Sequence, residues 1–221
     1  MEFLRFGHSG TPVVIFPTPQ GNHTEFAAQG MLEAMEWKID QGLIQIYCVD
    51  TNNWDGWYNP ATPPRRRIEL SVAYEEYFLR EFLPHLRHEA GSDGLILAGM
   101  SFGAYYAVNF GLKHPELVHR VVSFGGSFTI AGLLDGYYDD LCYFNDPAAF
   151  VPNLTDPWFL DMYNMHTEFT FVTSDHDLCL GRNVEMSNHL TAKGVRHNLI
   201  VWEGGYTHDW PAWKAMIPHY I

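Results

Sequence analysis

Short apolar runs alternate with longer amphipathic segments along most of the chain. Six runs have the length and composition of buried strands: residues 12–16, 43–49, 94–100, 120–124, 168–173 and 198–202. The segments between them repeat apolar residues at the three- to four-residue spacing of a helix. They predict five helices, over residues 25–41, 68–89, 102–113, about 182–193 and 209–220.

Strand and helix alternate throughout, which is the pattern of a parallel sheet whose strands are joined by crossover helices. The sequence therefore predicts an α/β fold with a mostly parallel central sheet and helices on both faces. One domain is expected to span residues 1–221. Thr24 and Gly42 have the residue types that begin and end the first helix, and Pro84 is expected to kink the second.

Two stretches rich in aromatic residues interrupt this alternation. Residues 54–64 form a loop with several prolines, and residues 131–164 make a connection that is long for a compact domain. Such a connection is usually functional, so it is interpreted as a lid or binding insertion, with a small satellite core as the alternative. Four rings from these stretches are expected either to frame a substrate pocket or to pack locally: Trp54, Trp57, Tyr137 and Tyr138.

The formal net charge is −13, because 26 aspartates and glutamates oppose 13 lysines and arginines. An acidic surface repels phosphate backbones and anionic lipid heads, so neither nucleic acid nor a membrane is an expected partner. Residues 65–67 form the one run of arginines, and they are interpreted as part of a solvated loop before a helix. A homo-oligomer is compatible with this composition.

The three cysteines, Cys48, Cys142 and Cys179, are too few and too odd in number for a disulfide framework. The first ten residues lack the charged start and apolar stretch of a secretory signal. No apolar run approaches the ~20 residues of a membrane span. We therefore expect a protein of the reducing cytoplasm.

The segment Gly99-Met100-Ser101-Phe102-Gly103 has the pattern G-x-S-x-G between a strand and a helix. In the α/β-hydrolase fold this turn is so tight that only glycine fits at the flanking positions, and it exposes the serine hydroxyl above the sheet. Ser101 is therefore the candidate nucleophile. The alternative is a tight turn in which the serine only caps the helix.

A serine hydroxyl needs a base to take its proton, and in this fold the acid and then the histidine follow the serine along the chain. His208 stands directly after the last strand, at the sheet edge where the serine turn is also expected. His197 precedes that strand and His219 lies in the closing helix, so neither faces this edge. His208 is the candidate general base.

The acid is expected after the strand over residues 168–173, where Asp175 and Asp177 both stand within reach. Asp175 comes first and is favoured, while Asp209 is assigned to capping the last helix. His176, Asp177 and Cys179 could suggest metal ligands, but no further ligand at suitable spacing completes the set. Neither a metal nor another cofactor is predicted.

A tetrahedral oxyanion needs two N–H donors, and Phe102 supplies the first by its place after the nucleophile. The second is expected in the loop after the first central strand, which reads Pro17-Thr18-Pro19-Gln20-Gly21. Proline has no N–H, so Thr18, Gln20 and Gly21 remain. Gln20 is favoured.

These motifs together resemble the esterase branch of the α/β-hydrolases that includes esterase D-like, enterochelin-esterase-like and feruloyl-esterase-like proteins. The resemblance rests on VVIFPT, GMSFGAYYA, TSDHDLCLGRN and GGYTHDWPAW, and within it on a compact subgroup with LDGYYDD and GxSFGAYxA. His208, Trp210 and Trp213 match the family's G-x-H-x-W-x-x-W segment. The resemblance also implies Asp175 as the acid, because Asn183 stands eight positions later.

The expected function is hydrolysis of small-molecule carboxylic esters through an acyl-enzyme, with Ser101, His208 and Asp175 as the triad. The same triad would serve a thioesterase or an acyltransferase, which differ in the leaving group or the acceptor. A binding protein that uses the fold without turnover is the remaining alternative.

Overall fold

The computed structural model describes residues 1–221 and contains one seven-stranded sheet. The strands lie in the order β1-β3-β2-β4-β5-β6-β7 across the sheet. Their bounds are β1 Phe3–Phe6, β2 Thr11–Phe16, β3 Ile44–Val49, β4 Ile96–Met100, β5 Arg120–Phe124, β6 Glu168–Ser174 and β7 His197–Trp202. The six predicted strands are all present.

Six strands run parallel, and the seventh, β1, pairs antiparallel with β3 at one edge of the sheet. The prediction of an α/β fold with a mostly parallel sheet is therefore confirmed. The edge strand β1 was not predicted, because its four residues Phe3–Phe6 carry no run of buried positions. Parallel pairing brings the carboxyl ends of β4, β5, β6 and β7 to the same side of the molecule.

Ten helices cover the sheet, together with short 3₁₀ turns and one π-helical segment at Phe78–Phe82. None of them combines the length and the apolar character that crossing a bilayer requires. The bounds are α1 Glu25–Ala28, α2 Met31–Asp40, α3 Pro64–Tyr77, α4 Leu83–Ala90, α5 Phe102–Lys113, α6 Asp140–Tyr143, α7 Pro147–Phe150, α8 Pro157–Met165, α9 Leu180–Ala192 and α10 Trp210–Met216.

Two predicted helices differ from those observed for local reasons. The first is broken into α1 and α2 at Gly30, whose φ of +70° does not belong to a right-handed helix. The second begins earlier than predicted, at Pro64, and passes through the π-helical segment Phe78–Phe82, which ends two residues before Pro84. A proline lacks the N–H of the regular helix ladder, so a wider turn is a common way to accommodate it.

The sheet separates two hydrophobic cores, because successive side chains along a strand point to opposite faces. The larger core has 33 buried residues and contains the inward faces of α3, α4, α5 and α9. The smaller has 18 and contains those of α2 and α10. Helix α5 lies deepest, since every residue from Phe102 to Leu112 is buried. The helix that follows the candidate nucleophile is therefore held rigidly.

The insertion over residues 131–164 folds into three short helices and 3₁₀ turns, and it packs on the larger core. The Tyr105 hydroxyl donates to the Asn145 carbonyl at 2.9 Å, and the Tyr163 hydroxyl donates to the Leu112 carbonyl at 2.6 Å. Both bonds join the insertion to α5. Only its first turn, at Gly132 and Leu133, reaches the cleft beside Ser101.

A buried arginine fixes that first turn. Arg67 donates to the Leu133 carbonyl at 2.6 Å and to the Thr62 carbonyl at 2.8 Å, and it lies 3.0 Å from the carboxylate of Asp135. Its side chain is only 8 % exposed. The guanidinium therefore joins the start of α3 to the wall of the cleft.

We expect Arg67→Gln to lower the free energy of unfolding by about 2 kcal/mol, since it leaves buried carbonyls without donors. This corresponds to a fall of roughly 4–8 °C in Tm for a chain of this size. Arg66→Gln removes the same charge from an exposed site on the same helix and should leave Tm within about 1 °C. Equal thermal denaturation curves for the two variants would contradict this role of Arg67.

Candidate active site

Ser101 lies at the turn between β4 and α5, with φ 55° and ψ −118°. Residues with a side chain rarely adopt this backbone conformation, which glycine tolerates far better. The turn persists because β4 and α5 are both buried and because the Ser101 N–H donates to the Phe124 carbonyl at 2.9 Å. This backbone conformation directs the Ser101 hydroxyl towards His208, on the loop after β7, as the G-x-S-x-G pattern predicts.

The two flanking glycines are required by close backbone approach. A Cβ on Gly99 would lie 2.2 Å from the carbonyl carbon of Gly103, and a Cβ on Gly103 would lie 2.3 Å from the Phe16 carbonyl oxygen. Both contacts are with backbone atoms, which cannot move aside cheaply. The pattern therefore reflects packing of the turn against itself and against β2.

His208 lies in the loop between β7 and α10, and its Nε2 is 2.9 Å from the Ser101 Oγ. The ring of Trp213 packs edge-on against the imidazole at 4.9 Å between centroids. The Asp209 carboxylate caps α10 by accepting from the Ala212 N–H at 2.9 Å, as predicted, and this begins the helix directly after the histidine. Packing and capping together fix the imidazole next to the serine.

The carboxylate beside His208 belongs to Asp177, whose Oδ1 lies 2.8 Å from the imidazole Nδ1. The same oxygen accepts from the Cys179 N–H at 2.7 Å, and the Asp177 side chain is 2 % exposed. A buried carboxylate in this position selects the tautomer that carries its proton on Nδ1, which leaves Nε2 free to accept. Ser101, His208 and Asp177 therefore form a continuous hydrogen-bonded line.

Gly125, at the end of β5, provides the space for this line. Its φ is +55°, and a Cβ at this position would lie 2.5 Å from the Asp177 Oδ2 and 3.0 Å from the His208 Nδ1. The sequence analysis did not single it out. A Gly-Gly pair directly after a strand that ends at the same sheet edge is the signal that could have revealed it.

Asp177, Cys179 and His208 place possible metal-ligand atoms within 4.8 Å of one another. However, Asp177 Oδ1 and His208 Nδ1 are hydrogen-bonded to each other, and the remaining imidazole nitrogen, Nε2, faces Ser101. Burial raises the pKa of the Cys179 thiol, which disfavours the thiolate that binds metals. The arrangement fits proton transfer to and from the serine better than metal binding.

The family model described as "Putative esterase" matches residues 12–220. The chain belongs to this esterase family. The esterase is thus a carboxylic ester hydrolase, and the suspected resemblance is confirmed. Among curated proteins, no sequence matches it.

Several solved structures share the fold of this esterase at low sequence identity. A ferulic acid esterase superposes with a TM-score of 0.72 at 18 % identity, over 95 % of this chain and 82 % of that one. The S-formylglutathione hydrolase of Agrobacterium tumefaciens gives 0.71 at 18 % identity, over 98 % and 86 %. S-formylglutathione hydrolase FrmB of Staphylococcus aureus gives 0.66 at 13 % identity, over 96 % and 80 %.

The choice of Asp175 as the acid is wrong for this structure. Its carboxylate accepts from the N–H groups of Gly204 and Gly205, at 3.0 and 3.1 Å, and it does not contact His208. Asp175 is exposed, and the slight desolvation that acts to raise the pKa of its carboxyl is outweighed by the hydrogen bonds from Gly204 and Gly205, so the pKa lies below its ordinary value. Asp175 therefore supports the loop that carries the histidine, and Asp177 approaches the ring.

A cleft of about 300 Å³ opens beside the Ser101 hydroxyl. Three larger cavities, two of about 460 Å³ and one of about 420 Å³, are lined by none of Ser101, Asp177 and His208, so cavity size does not identify the candidate site. The cleft is lined by Pro19, Tyr58, Ser101, Phe102, Ser127, Thr129, Gly132, Leu133, Leu178, Cys179 and Arg182.

The four aromatic residues predicted to frame the pocket do not line this cleft. Trp57 is buried and packs edge-on against Phe102, and Trp54 is exposed. The hydroxyls of Tyr137 and Tyr138 donate to carboxylates within the insertion, at 2.5 and 3.2 Å. The alternative of local packing therefore applies to Trp57, Tyr137 and Tyr138. From the loop over residues 54–64, the ring that lines the cleft is that of Tyr58.

The structure shows which N–H groups are free among the residues predicted as oxyanion donors. The Phe102 N–H, in the first turn of α5, donates to no group of the protein and follows Ser101 directly in the chain. In the other loop, Thr18 donates to Glu25 and Gly21 donates to the Thr18 carbonyl, so both N–H groups are occupied. The Gln20 N–H remains unoccupied, although Gln20 is exposed and Pro19 is the residue of this loop that lines the cleft.

Ser101→Gly should be more stable than Ser101→Ala. Both variants lose the hydroxyl, but only glycine relieves the strain of φ 55°. Relief of about 1–3 kcal/mol exceeds the entropic cost of glycine, so we expect a Tm roughly 2–4 °C higher for Ser101→Gly by differential scanning calorimetry. An equal or lower Tm for the glycine variant would show that the turn is not strained.

Proposed function

We propose that this esterase hydrolyses small-molecule carboxylic esters through an acyl-enzyme on Ser101. The observation that supports the mechanism is the pair of contacts at His208, 2.9 Å to the serine hydroxyl and 2.8 Å to the Asp177 carboxylate. A nucleophile, a base and an orienting acid within hydrogen-bond distance are what acyl transfer to serine requires.

In the first half-reaction, the His208 Nε2 takes the hydroxyl proton as the Ser101 Oγ attacks the ester carbonyl. The carbonyl oxygen becomes an oxyanion, stabilised by the Phe102 N–H and, we propose, by the Gln20 N–H. The imidazolium is stabilised by Asp177, which stays ionised. Nε2 then gives its proton to the alkoxy oxygen, the C–O bond breaks, and the alcohol leaves.

In the second half-reaction, a water molecule takes the place of the alcohol. His208 removes a proton from the water, which attacks the acyl carbon and regenerates the oxyanion at the same donors. Collapse of the intermediate returns the proton to the Ser101 Oγ and releases the carboxylic acid. The enzyme ends with the protonation states with which it began.

The volume of the cleft bears on the size of the substrate, and the cysteines bear on the location of the protein. A cleft of about 300 Å³ is near the lower end of the size range for small-molecule sites, which favours compact esters over long-chain lipids. We further infer a cytoplasmic location, which the three unpaired and buried cysteines support.

Ser101→Ala should lower kcat for 4-nitrophenyl acetate and butyrate by roughly 10³-fold or more, because the acyl acceptor is removed. A fluorophosphonate probe should label the wild-type protein at Ser101 and leave the variant unlabelled, as intact-protein mass spectrometry would show. Hydrolysis by Ser101→Ala at the wild-type rate, or labelling at another residue, would refute the mechanism.

The two aspartates after β6 offer a matched comparison. Asp177→Asn keeps the shape but loses the charge and the tautomer control, so kcat should fall by about 10³–10⁴-fold. Asp175→Asn keeps one acceptor for Gly204 or Gly205 and should cost less than about ten-fold. Steady-state kinetics on 4-nitrophenyl butyrate would measure both, and the reverse order of losses would restore Asp175 as the acid.

A further inference from the structure

The cleft beside Ser101 contains a single charged residue, Arg182, and no carboxylate side chain lines it. The chain as a whole carries a net charge of −13. The cleft is therefore lined by a positive charge, although the protein as a whole is strongly negative. A positive charge without a carboxylate in the same cleft favours an anionic group there.

The Arg182 guanidinium forms no ion pair with a carboxylate within 4.0 Å. Its Nη1 donates to the Ser127 Oγ at 3.1 Å and lies 3.9 Å from the Cys179 Sγ, and its Nε and Nη2 have no acceptor in the protein. The two nearest acids along the chain are engaged elsewhere, Asp177 with His208 and Glu185 with His189. Most of the five guanidinium donors are thus available to a ligand.

The residues that hold Arg182 also contact the triad. The Ser127 N–H donates to the Ser101 carbonyl at 3.3 Å, and the Cys179 N–H donates to the Asp177 Oδ1 at 2.7 Å. Ser127 therefore links the guanidinium to Ser101, and Cys179 links it to Asp177. This places it on the wall of the cleft, within the reach of a short substrate whose ester carbonyl is at Ser101.

We propose that the natural ester carries an anionic group, a carboxylate or a phosphate, and that Arg182 binds it. This inference rests on the proposed function, since it concerns the substrate of the same site. The fork of N–H groups on a guanidinium matches the paired oxygens of either anion and gives a charge-assisted hydrogen bond. Arg182 is then a specificity-determining residue that touches the substrate away from the reacting bond.

The test compares esters that differ in one charged group. 4-Nitrophenyl hemisuccinate and 4-nitrophenyl butyrate differ in the acyl chain, where a carboxylate replaces a methyl. 3-Carboxy-4-nitrophenyl butyrate places the carboxylate on the alcohol side instead. For Arg182→Gln, kcat/KM should fall for at least one anionic ester by about ten-fold or more relative to its fall for 4-nitrophenyl butyrate.

Arg182→Lys should recover part of that loss, because it restores the charge without the fork. Arg66→Gln changes the net charge equally from a site outside the cleft and should not alter the ratio. Equal falls for neutral and anionic esters in Arg182→Gln would overturn this inference alone. Absence of Ser101-dependent hydrolysis of every ester would instead overturn the proposed function.

Discussion

In the proposed mechanism, the imidazole of His208 contacts the Ser101 hydroxyl on one loop and the Asp177 carboxylate on another, and the parallel sheet makes both contacts possible. Ser101 follows β4, Asp177 follows β6 and His208 follows β7. Because these strands are parallel, their following loops all emerge at one edge of the sheet. Strand register brings the three loops together, and packing, capping and hydrogen bonds within the loops set the distances of 2.9 and 2.8 Å on the two sides of the ring.

Rigidity is what allows the serine to remain in an unfavourable backbone conformation. The turn at Ser101 is strained, and two neighbouring strands and a fully buried helix surround it. A Cβ on Gly99 or Gly103 would meet backbone atoms, and a Cβ on Gly125 would meet the side chains of Asp177 and His208. Close packing of the backbone therefore positions the loops of the candidate site. Hydrogen bonds between Ser101, His208 and Asp177 then fix the side chains.

Features encoded by local pattern could be predicted from the sequence. Six strands follow from apolar runs, and Ser101 follows from glycines that a tight turn requires. His208 follows from its place after the last strand. The edge strand Phe3–Phe6 could not be predicted in this way, because three half-buried residues and one exposed residue make no pattern and its antiparallel pairing with β3 is a tertiary contact.

The choice between Asp175 and Asp177 was beyond local pattern for a similar reason. A turn closed by the Asp177 N–H and the Ser174 carbonyl, at 3.2 Å, separates the two side chains. Glycine N–H groups from a loop some 30 residues later then engage Asp175. The aromatic residues of the two long stretches were equally ambiguous, since packing of Trp57 into the core left the cleft to Tyr58.

The charge of the cleft has a consequence for how an anionic substrate would be recognised. At physiological salt, charges more than about 8 Å apart in water are largely screened, so the net charge of −13 weakly opposes approach. Arg182 is exposed at the wall of the cleft, so it acts on the substrate only over the short distances reached once the substrate has entered. Recognition by Arg182 would therefore lower the dissociation rate of an anionic ester and leave its association rate little changed.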